Sequence, residues 1–376
     1  MKKIICVFLI LAGSMPAFAQ IVTGSAPIFG TNDSALSSHI SAFNTEIAGY
    51  FNTLFSDLNN ELGNYNFKPK PENLIRAFGT SAAYASHGAT QRGFGGFNTF
   101  AATLGTMVGL QLPFGPFELV DKFDVIAGDP FSLFKDGDLT LGINPQALNA
   151  QVSLNTSGFF MKNMYLGVRV GYMNLPDVVE GLSVSNMLLG VTVNYQLLPK
   201  LSLAGLITWR GLSLGTGFIF QNTKLGYYFA MDSSLMSGGI TTTGIGSDIS
   251  YRIEPRVGLD MDITTYTIPI EVVTAIKLLF LNIPFGAGVD LAFGKSDIRF
   301  GAAADINFNG LPSAIYQSSP GSLAVNLGGE MSPSFVNLKI MSGLGLVFGP
   351  LIIDIPITWY VMDNGFNVGL TFGVAF

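Results

Sequence analysis

Residues 366–376 read Phe-Asn-Val-Gly-Leu-Thr-Phe-Gly-Val-Ala-Phe and place a large apolar side chain at every second position. The intervening positions hold only small or polar residues. Because successive side chains of a β-strand point to opposite faces, this segment predicts a strand with one wholly apolar face. Its length matches the roughly 9–11 residues of a tilted strand that crosses a bilayer.

The same alternation recurs along residues 97–376, most clearly in the segments 100–112, 164–172, 247–264, 335–348 and 351–361. The long charge-free runs are interrupted by Gly, Pro, Asn and Ser, so they do not suit transmembrane helices. A sheet in hydrocarbon must close on itself, because an open edge would leave backbone groups unpaired. We therefore predict an all-β, antiparallel transmembrane barrel of about 14 strands, within a range of roughly 12–16.

The strand count depends on where the alternating segments are divided. We interpret 247–264 and 268–281 as two strands, and 285–294 and 297–308 as two more. A further strand is expected near 117–127. Short Gly/Pro turns, such as Gly349-Pro350, separate neighbouring strands.

Composition agrees with a protein that has lipid on its outside. Charged residues make up only 12% of the chain, and glycine contributes 45 of 376 residues. The formal net charge is −6. An acidic chain with scattered Lys and Arg argues against nucleic acid as a partner.

The N-terminus resembles a secretory signal peptide. Lys2 and Lys3 precede an apolar core at 4–12, and Ala17-Phe18-Ala19 fits a cleavage site. We expect residues 1–19 to be removed after Ala19 and the protein to reach the outer membrane. Cys6, the only cysteine, lies in this segment. The mature chain is therefore expected to contain neither a disulfide nor a cysteine-based metal site.

Residues 20–96 differ from the rest. Between 34 and 62, apolar residues recur at spacings of three or four, which predicts an amphipathic helix. Residues 77–96 are rich in Gly, Ala and Ser and are candidates to lie inside a lumen. The N-terminal segment 20–96 is thus either a plug for the barrel 97–376, or its helix is periplasmic or binds a partner.

Catalytic motifs give little support for an enzyme. Gly211-Leu-Ser-Leu-Gly215 matches the G-x-S-x-G pattern, but the only histidines, His39 and His87, both precede it. Two histidines cannot form a His-cluster zinc site. We expect no catalytic, cofactor or metal site.

Charged residues in the polar phase of the strands are expected to face the lumen. The candidate cluster consists of Arg252, Arg256, Asp248, Glu254, Asp260, Asp262, Arg169 and Arg210. Lys339, Glu271 and Asp290 are expected to face the same way. One interpretation is a network of ion pairs bracing the wall, since buried charges are normally paired. The other is that Arg252 or Arg256 receives the anionic head group of a cargo molecule.

The terminal strand resembles the closing strand of bacterial outer-membrane barrels. In those proteins the assembly machinery recognises an amphipathic terminal strand that ends in Phe. The resemblance implies that the strand ending at Phe376 engages this machinery and that outer-membrane lipid surrounds the barrel.

The signal peptide, the N-terminal segment, the expected strand number and the partly apolar lumen together resemble the long-chain fatty-acid transporter family. That family's Asn-Pro-Ala signature is missing from 20–96, and the nearest string is Asn144-Pro145-Gln146-Ala147. The resemblance implies passive uptake of small hydrophobic or amphipathic molecules through a plugged barrel. A diffusion porin and a structural or adhesive barrel are the alternatives.

Overall fold

The computed structural model of the protein describes residues 22–64, 71–86, 99–112, 140–158, 160–179, 181–203, 206–230, 237–241 and 248–376. The expected signal segment and the expected strand at 117–127 lie outside these ranges. Helix α1 (Ser37–Asn64) follows a 3₁₀ turn at Ser34–Leu36, and helix α2 is Pro71–Ser86. Among the residues described, no helix is long and apolar enough to cross a membrane.

Most of the remaining described residues form β-strands. They are β1 (Val22–Ser25), β2 (Ile28–Thr31), β3 (Phe100–Gln111), β4 (Gly142–Pro145), β5 (Asn149–Asn155), β6 (Met164–Val179), β7 (Leu182–Leu198), β8 (Leu201–Leu203), β9 (Ile207–Ala230), β10 (Ser237–Thr241), β11 (Asp248–Leu278), β12 (Leu281–Asn309), β13 (Ile315–Ser319), β14 (Gly321–Met331), β15 (Val336–Phe348), β16 (Leu351–Tyr360) and β17 (Gly365–Ala375).

Within the described part of the chain, ten strands close a ring. Their order is β12, β15, β16, β17, β3, β5, β6, β7, β9 and β11, and β11 pairs back onto β12. Each pairing is antiparallel. The antiparallel all-β barrel expected from the sequence is therefore confirmed.

The described ring contains ten strands rather than the fourteen expected. One expected strand, 117–127, lies outside the described residues, and β14 pairs with β12 outside the ring. The remaining difference arises because two strands are very long. The segments 247–264 and 268–281 join in β11, which has 31 residues, and 285–294 and 297–308 join in β12, which has 29. Pro269 and Gly294 lie inside these strands without reversing the chain. Side chains continue to alternate between inward and outward through both residues. In β12, however, the apolar positions change from odd to even between Phe293 and Ile298, so the sequence predicts two strands where the fold forms one.

The strands are strongly staggered around the ring. A row of paired residues that leaves β11 at Lys277 passes through Asn282, Gly345 and the remaining strands and returns to β11 at Thr265, twelve residues away. Such a stagger requires strands tilted by roughly 35–45°. Eight-stranded barrels are filled by their own side chains, so a ten-stranded ring is wide enough for little more than one narrow element.

The outer face of the ring is apolar and exposed, as the closing strand predicts. In β17, Val368, Leu370 and Phe372 are 39–49% exposed, whereas Asn367 and Thr371 are fully buried. The same phase continues in β3, which pairs with β17. This exposed apolar face has the character of a surface in contact with hydrocarbon.

We expect Leu370→Arg to destabilise the barrel by about 2–4 kcal/mol, because a charge at mid-strand would enter the bilayer core. Val374→Arg is the matched control near the strand end, where the same charge should cost about 0–1 kcal/mol. Reversible urea unfolding in lipid vesicles measures both values. Equal costs for the two variants would contradict this orientation.

Aromatic side chains mark both edges of the apolar belt. At one edge the Tyr266 ring lies 5.3–6.0 Å from the rings of Phe218, Phe220 and Phe293; at the other, Phe280 stacks on Phe348 at 5.4 Å. Along β11 these girdles are separated by about 12 residues, which spans about 30 Å at the tilt given above. This equals the thickness of a bilayer core. We call the Tyr266 side the cap end and the Phe280 side the turn end.

Beyond the cap-end girdle, β11 and β12 continue and build a second core, here called the cap. Near Gly294, whose φ is +137°, β12 changes partner from β15 to β14, and β14 pairs with β1. Helix α1 packs on this sheet through a stripe of apolar residues that are at most 7% exposed: Ile40, Phe43, Ile47, Phe51 and Phe55. The amphipathic pattern of 34–62 is thus used to cover the cap.

Two asparagines of α1 bind the backbones of the short N-terminal strands. Asn44 accepts from Phe29 N and donates to Phe29 O, at 2.9 and 3.0 Å. Asn59 does the same with Val22, at 2.8 and 2.9 Å. Each amide therefore supplies the donor and the acceptor that a neighbouring strand would otherwise provide.

Candidate functional site: a lumen filled by one helix

Helix α2 lies inside the ring. It contacts β3, β4, β9, β11, β12, β14 and β17, which surround it on several sides. Every residue from Gly79 to Ala85 is buried. The candidate lumen segment 77–96 therefore lies in the ring as far as Ser86, and residues 87–96 are outside the described part of the chain.

The helix fits because small residues face glycines of the wall. A methyl group on Gly109 would lie 2.0 Å from the carbonyl oxygen of Ser81, and one on Gly142 would lie 2.2 Å from that of Ala77. A methyl group on Gly365 would enter the ring of Tyr84. At these three places the wall approaches α2 closely only because it lacks side chains.

Tyr84 is the main polar anchor of α2. Its ring stacks on Tyr360 with a centroid distance of 3.7 Å and an interplanar angle of 13°. Its hydroxyl donates to Asn337 Oδ1 at 3.3 Å and to Asp363 Oδ2 at 3.4 Å. Asn367 Nδ2 donates to the carbonyl oxygen of Tyr84 at 2.9 Å. These contacts hold the C-terminal turn of α2 to three strand ends.

Two further hydrogen bonds fix the helix along its length. Gln146 Nε2 donates to the carbonyl oxygen of Ala85 at 2.5 Å, and the backbone N of Ser334 donates to Thr80 Oγ1 at 3.0 Å. An apolar contact completes the site, in which Ile75 and Ala82 pack with Met261, Ile263 and Ile298. Helix α2 is thus bound to the wall by packing and by specific polar contacts.

A buried ion-pair network lies beside the helix. Lys339 Nζ is 2.5 Å from Asp290 Oδ1 and 2.5 Å from Glu271 Oε1. The hydroxyl of Tyr360 donates to Asp290 Oδ2 at 3.1 Å. Lys339 is fully buried and Asp290 nearly so. Four strands, β11, β12, β15 and β16, are joined by these groups, which is the bracing arrangement considered from the sequence.

Two arginines of the expected lumen cluster occupy inward positions. Arg169 is buried, and its Nε and Nη2 donate to Gln151 Oε1 at 3.2 and 3.1 Å. Arg210 lies within electrostatic range of Lys277. Both belong to the turn-end half of the ring, away from the other members of the expected cluster.

The remaining members require a correction. Arg252, Arg256, Asp260 and Asp262 are exposed on the outer face of the cap portion of β11, in the same phase as the outward-facing Ile270. Asp248 and Glu254 occupy even-numbered positions of β11, like these four residues. Beyond the girdle the outward face meets water, while the inward face carries the apolar residues that pack against α1 and α2. The polar phase therefore faces outward here.

The described inner wall is more polar than the sequence suggested. Buried side chains include Thr103, Gln111, Asn149, Gln151, Ser153, Asn186, Gln221, Thr223, Thr265, Thr267, Asn282, Thr358 and Thr371. The fit between α2 and the wall glycines was missed in the sequence, because it joins residues as distant as Tyr84 and Gly365. The only local signal was the Gly/Ala/Ser composition of α2.

Comparison with known proteins gives one extended match. A family model described as Lsa36-like matches residues 18–376. No curated protein matches the chain.

Among solved structures, the translocator domain of autotransporter NalP from Neisseria meningitidis shows 10% identity and a TM-score of 0.28, covering 78% of this chain and 93% of that one. The β domain of the Bordetella autotransporter BrkA has 10% identity and a TM-score of 0.27, with 74% and 100% covered. The CymD monoaromatic hydrocarbon channel has 9% identity and a TM-score of 0.24, with 81% and 98% covered. The barrel assignment rests on the strand pairing of this chain itself.

Proposed function

The chain belongs to the Lsa36-like family, and we propose that it is an outer-membrane channel that helix α2 keeps closed. The observation that carries this proposal is the position of α2 within a closed ring, where its small residues meet Gly109, Gly142 and Gly365. A helix bound by several separate hydrogen bonds can leave without breaking the strand pairing of the ring. The space that α2 occupied then becomes an open passage through the barrel.

The wall favours small polar solutes as the permeant. Its inward residues carry amide, hydroxyl and charged groups that water or a polar solute can bind once α2 has moved. Ten strands also limit the width of the passage. A general diffusion porin would keep its lumen open, and here the helix occupies it.

Uptake of small hydrophobic or amphipathic molecules, expected from the family resemblance, is the second candidate. Tyr360 favours it, because this wall ring, which Tyr84 of α2 covers in the closed state, offers an apolar surface once α2 has moved. Most of the inward wall is less suitable for an apolar cargo, since such a cargo would leave the amides and hydroxyls of the wall unpaired.

A structural or adhesive barrel is the third candidate, and it predicts that α2 never moves.

The proposed role is transport rather than catalysis, at the outer membrane. The exposed apolar belt supports a lipid environment, and the pairing of β17 with β3 closes the ring at the chain's final strand. We propose that the barrel-assembly machinery binds this strand through Phe376, after export and cleavage behind Ala19.

A disulfide between α2 and the wall tests the channel. A Cβ on Gly79 would lie 3.1 Å from Ser296 Cβ, close to the roughly 3.5–4.5 Å of a disulfide, so Gly79→Cys/Ser296→Cys should cross-link after a small adjustment. In planar bilayers we expect openings of the full chain to disappear on oxidation and to return with dithiothreitol. The two single-cysteine variants are the controls.

Openings that persist in the oxidised protein would contradict a gate at α2. Silence of the reduced protein across the voltage range would favour a permanently sealed barrel. In a further recording, the monovalent salt is replaced by larger polar ions. A fall in conductance that is seen only in the reduced protein would support polar solutes as the permeant over apolar molecules.

A further inference from the structure

A band of polar side chains lies on the outer face of the barrel directly beyond the cap-end girdle. Lys224 Nζ lies 3.3 Å from Asp262 Oδ2, and Asn222 Nδ2 donates to Asp262 Oδ1 at 3.0 Å. Arg299 Nη2 lies 2.7 Å from Asp297 Oδ2. These side chains share the face of Tyr266 and Phe293 but stand on the cap side of those rings. They therefore lie at the depth where a bilayer changes from hydrocarbon to head groups.

Tyr228 shapes this band into a concavity. Its ring lies against the backbone of Gly258, where a methyl group would come within 2.7 Å of it. The hydroxyl donates to Asp260 Oδ1 at 2.5 Å, and this bond raises the pKa of Tyr228, so the phenol remains protonated. The concavity has a volume of about 410 Å³ and extends to Ser183 and Ser185 on β7.

The charges of the concavity are mixed. Three carboxylates, Asp260, Asp262 and Asp297, surround it together with two cations, Lys224 and Arg299. A purely anionic group would meet three carboxylates, and a purely cationic group would meet two cations. A group that carries a phosphate and a primary ammonium matches both: the phosphate binds Lys224 and Arg299, and the ammonium donates to the carboxylates.

The concavity is continuous with the apolar belt. Towards the belt, Ser185 of β7 is succeeded on the same outward face by the exposed Met187 and Leu189. On the antiparallel strand β6, the 66% exposed Tyr172 lies on the belt side of Asn174. A molecule seated in the concavity can thus lay an acyl chain along these residues. We propose that this surface binds a membrane lipid whose head group combines a phosphate with a primary amine.

The test is competitive lipid retention. The full chain is equilibrated with equal amounts of phosphatidylethanolamine, phosphatidylcholine and phosphatidylglycerol, and the retained lipids are counted by native mass spectrometry. We expect phosphatidylethanolamine to be enriched roughly tenfold over phosphatidylcholine, whose trimethylammonium cannot donate hydrogen bonds. Phosphatidylglycerol, which lacks the amine, should also be depleted.

Matched ion-pair deletions locate the site. Lys224→Ala/Asp262→Ala should reduce the enrichment roughly fivefold. Lys295→Ala/Glu330→Ala removes an outer-face ion pair of the same length, 3.3 Å, and similar exposure, and should leave the enrichment unchanged. Equal retention of the three lipids by the unmodified chain would overturn the proposal, as would an equal loss in both double variants. Neither result depends on whether α2 gates the lumen.

Discussion

Adding one methyl group at each of Gly109 and Gly142 is expected to turn the closed barrel into a conducting one. The added Cβ atoms would lie 2.0 and 2.2 Å from carbonyl oxygens of α2, and a backbone atom cannot rotate away. Overpacking costs about 1–3 kcal/mol per site, so the closed state should lose at least about 2 kcal/mol relative to the open state, or roughly thirtyfold in population. The strands themselves accept alanine, because neither glycine has a positive φ.

Single-channel recording in planar bilayers measures this change as open probability. The matched control is Gly190→Ala/Gly301→Ala, which adds the same two methyl groups where the nearest atoms are 3.4 and 3.5 Å away. The control should behave like the unmodified chain. If Gly109→Ala/Gly142→Ala folds and inserts but stays silent, α2 does not control the lumen.

The second large effect is expected from Lys339→Met. Removal of the buried ammonium leaves Asp290 and Glu271 without their shared cation, and breaking a buried pair in this way costs about 3–5 kcal/mol. Urea unfolding of the full chain in lipid vesicles measures the loss. Lys295→Met is the control, since its exposed pair with Glu330 should contribute at most about 1 kcal/mol.

A neutral triple variant separates charge from packing. Lys339→Met/Asp290→Asn/Glu271→Gln removes all three charges while keeping similar volumes, so it should recover much of the stability lost in Lys339→Met. A cost for Lys339→Met no larger than that of Lys295→Met would show that the network does not brace the four strands.

The alternation in residues 366–376 is enough to predict the outer face of the barrel. Val368 and Leu370 are exposed and Asn367 and Thr371 are buried, as a two-residue period requires. The same rule failed for Asp260 and Asp262. A period of two separates the faces of a strand, but it does not say which face points inward. Along β11 the apolar face changes from inward to outward between Ile263 and Tyr266.

The strand count and the lumen site needed information that is not local. The apolar positions of β12 change from odd to even between Phe293 and Ile298, near the point at which β12 exchanges β15 for β14, but this change alone does not distinguish one continuous strand from two strands joined by a turn. The contact of Gly365 with Tyr84 depends on how ring width, stagger and helix position combine. Composition suggested that 77–96 would fit a lumen, but only the assembled ring shows which glycines meet the helix.

The uninterrupted pairing of β11 with β12 has a mechanical consequence. Hydrogen bonds join the two strands from Ser250 and Asn309 in the cap to Leu278 and Leu281 at the opposite end. Because these bonds run perpendicular to the strands, a force that pulls the cap away from the membrane loads many of them in shear at once. The cap is therefore rigidly connected to the barrel. Tension applied to the cap is transmitted to the barrel wall before the cap separates from it.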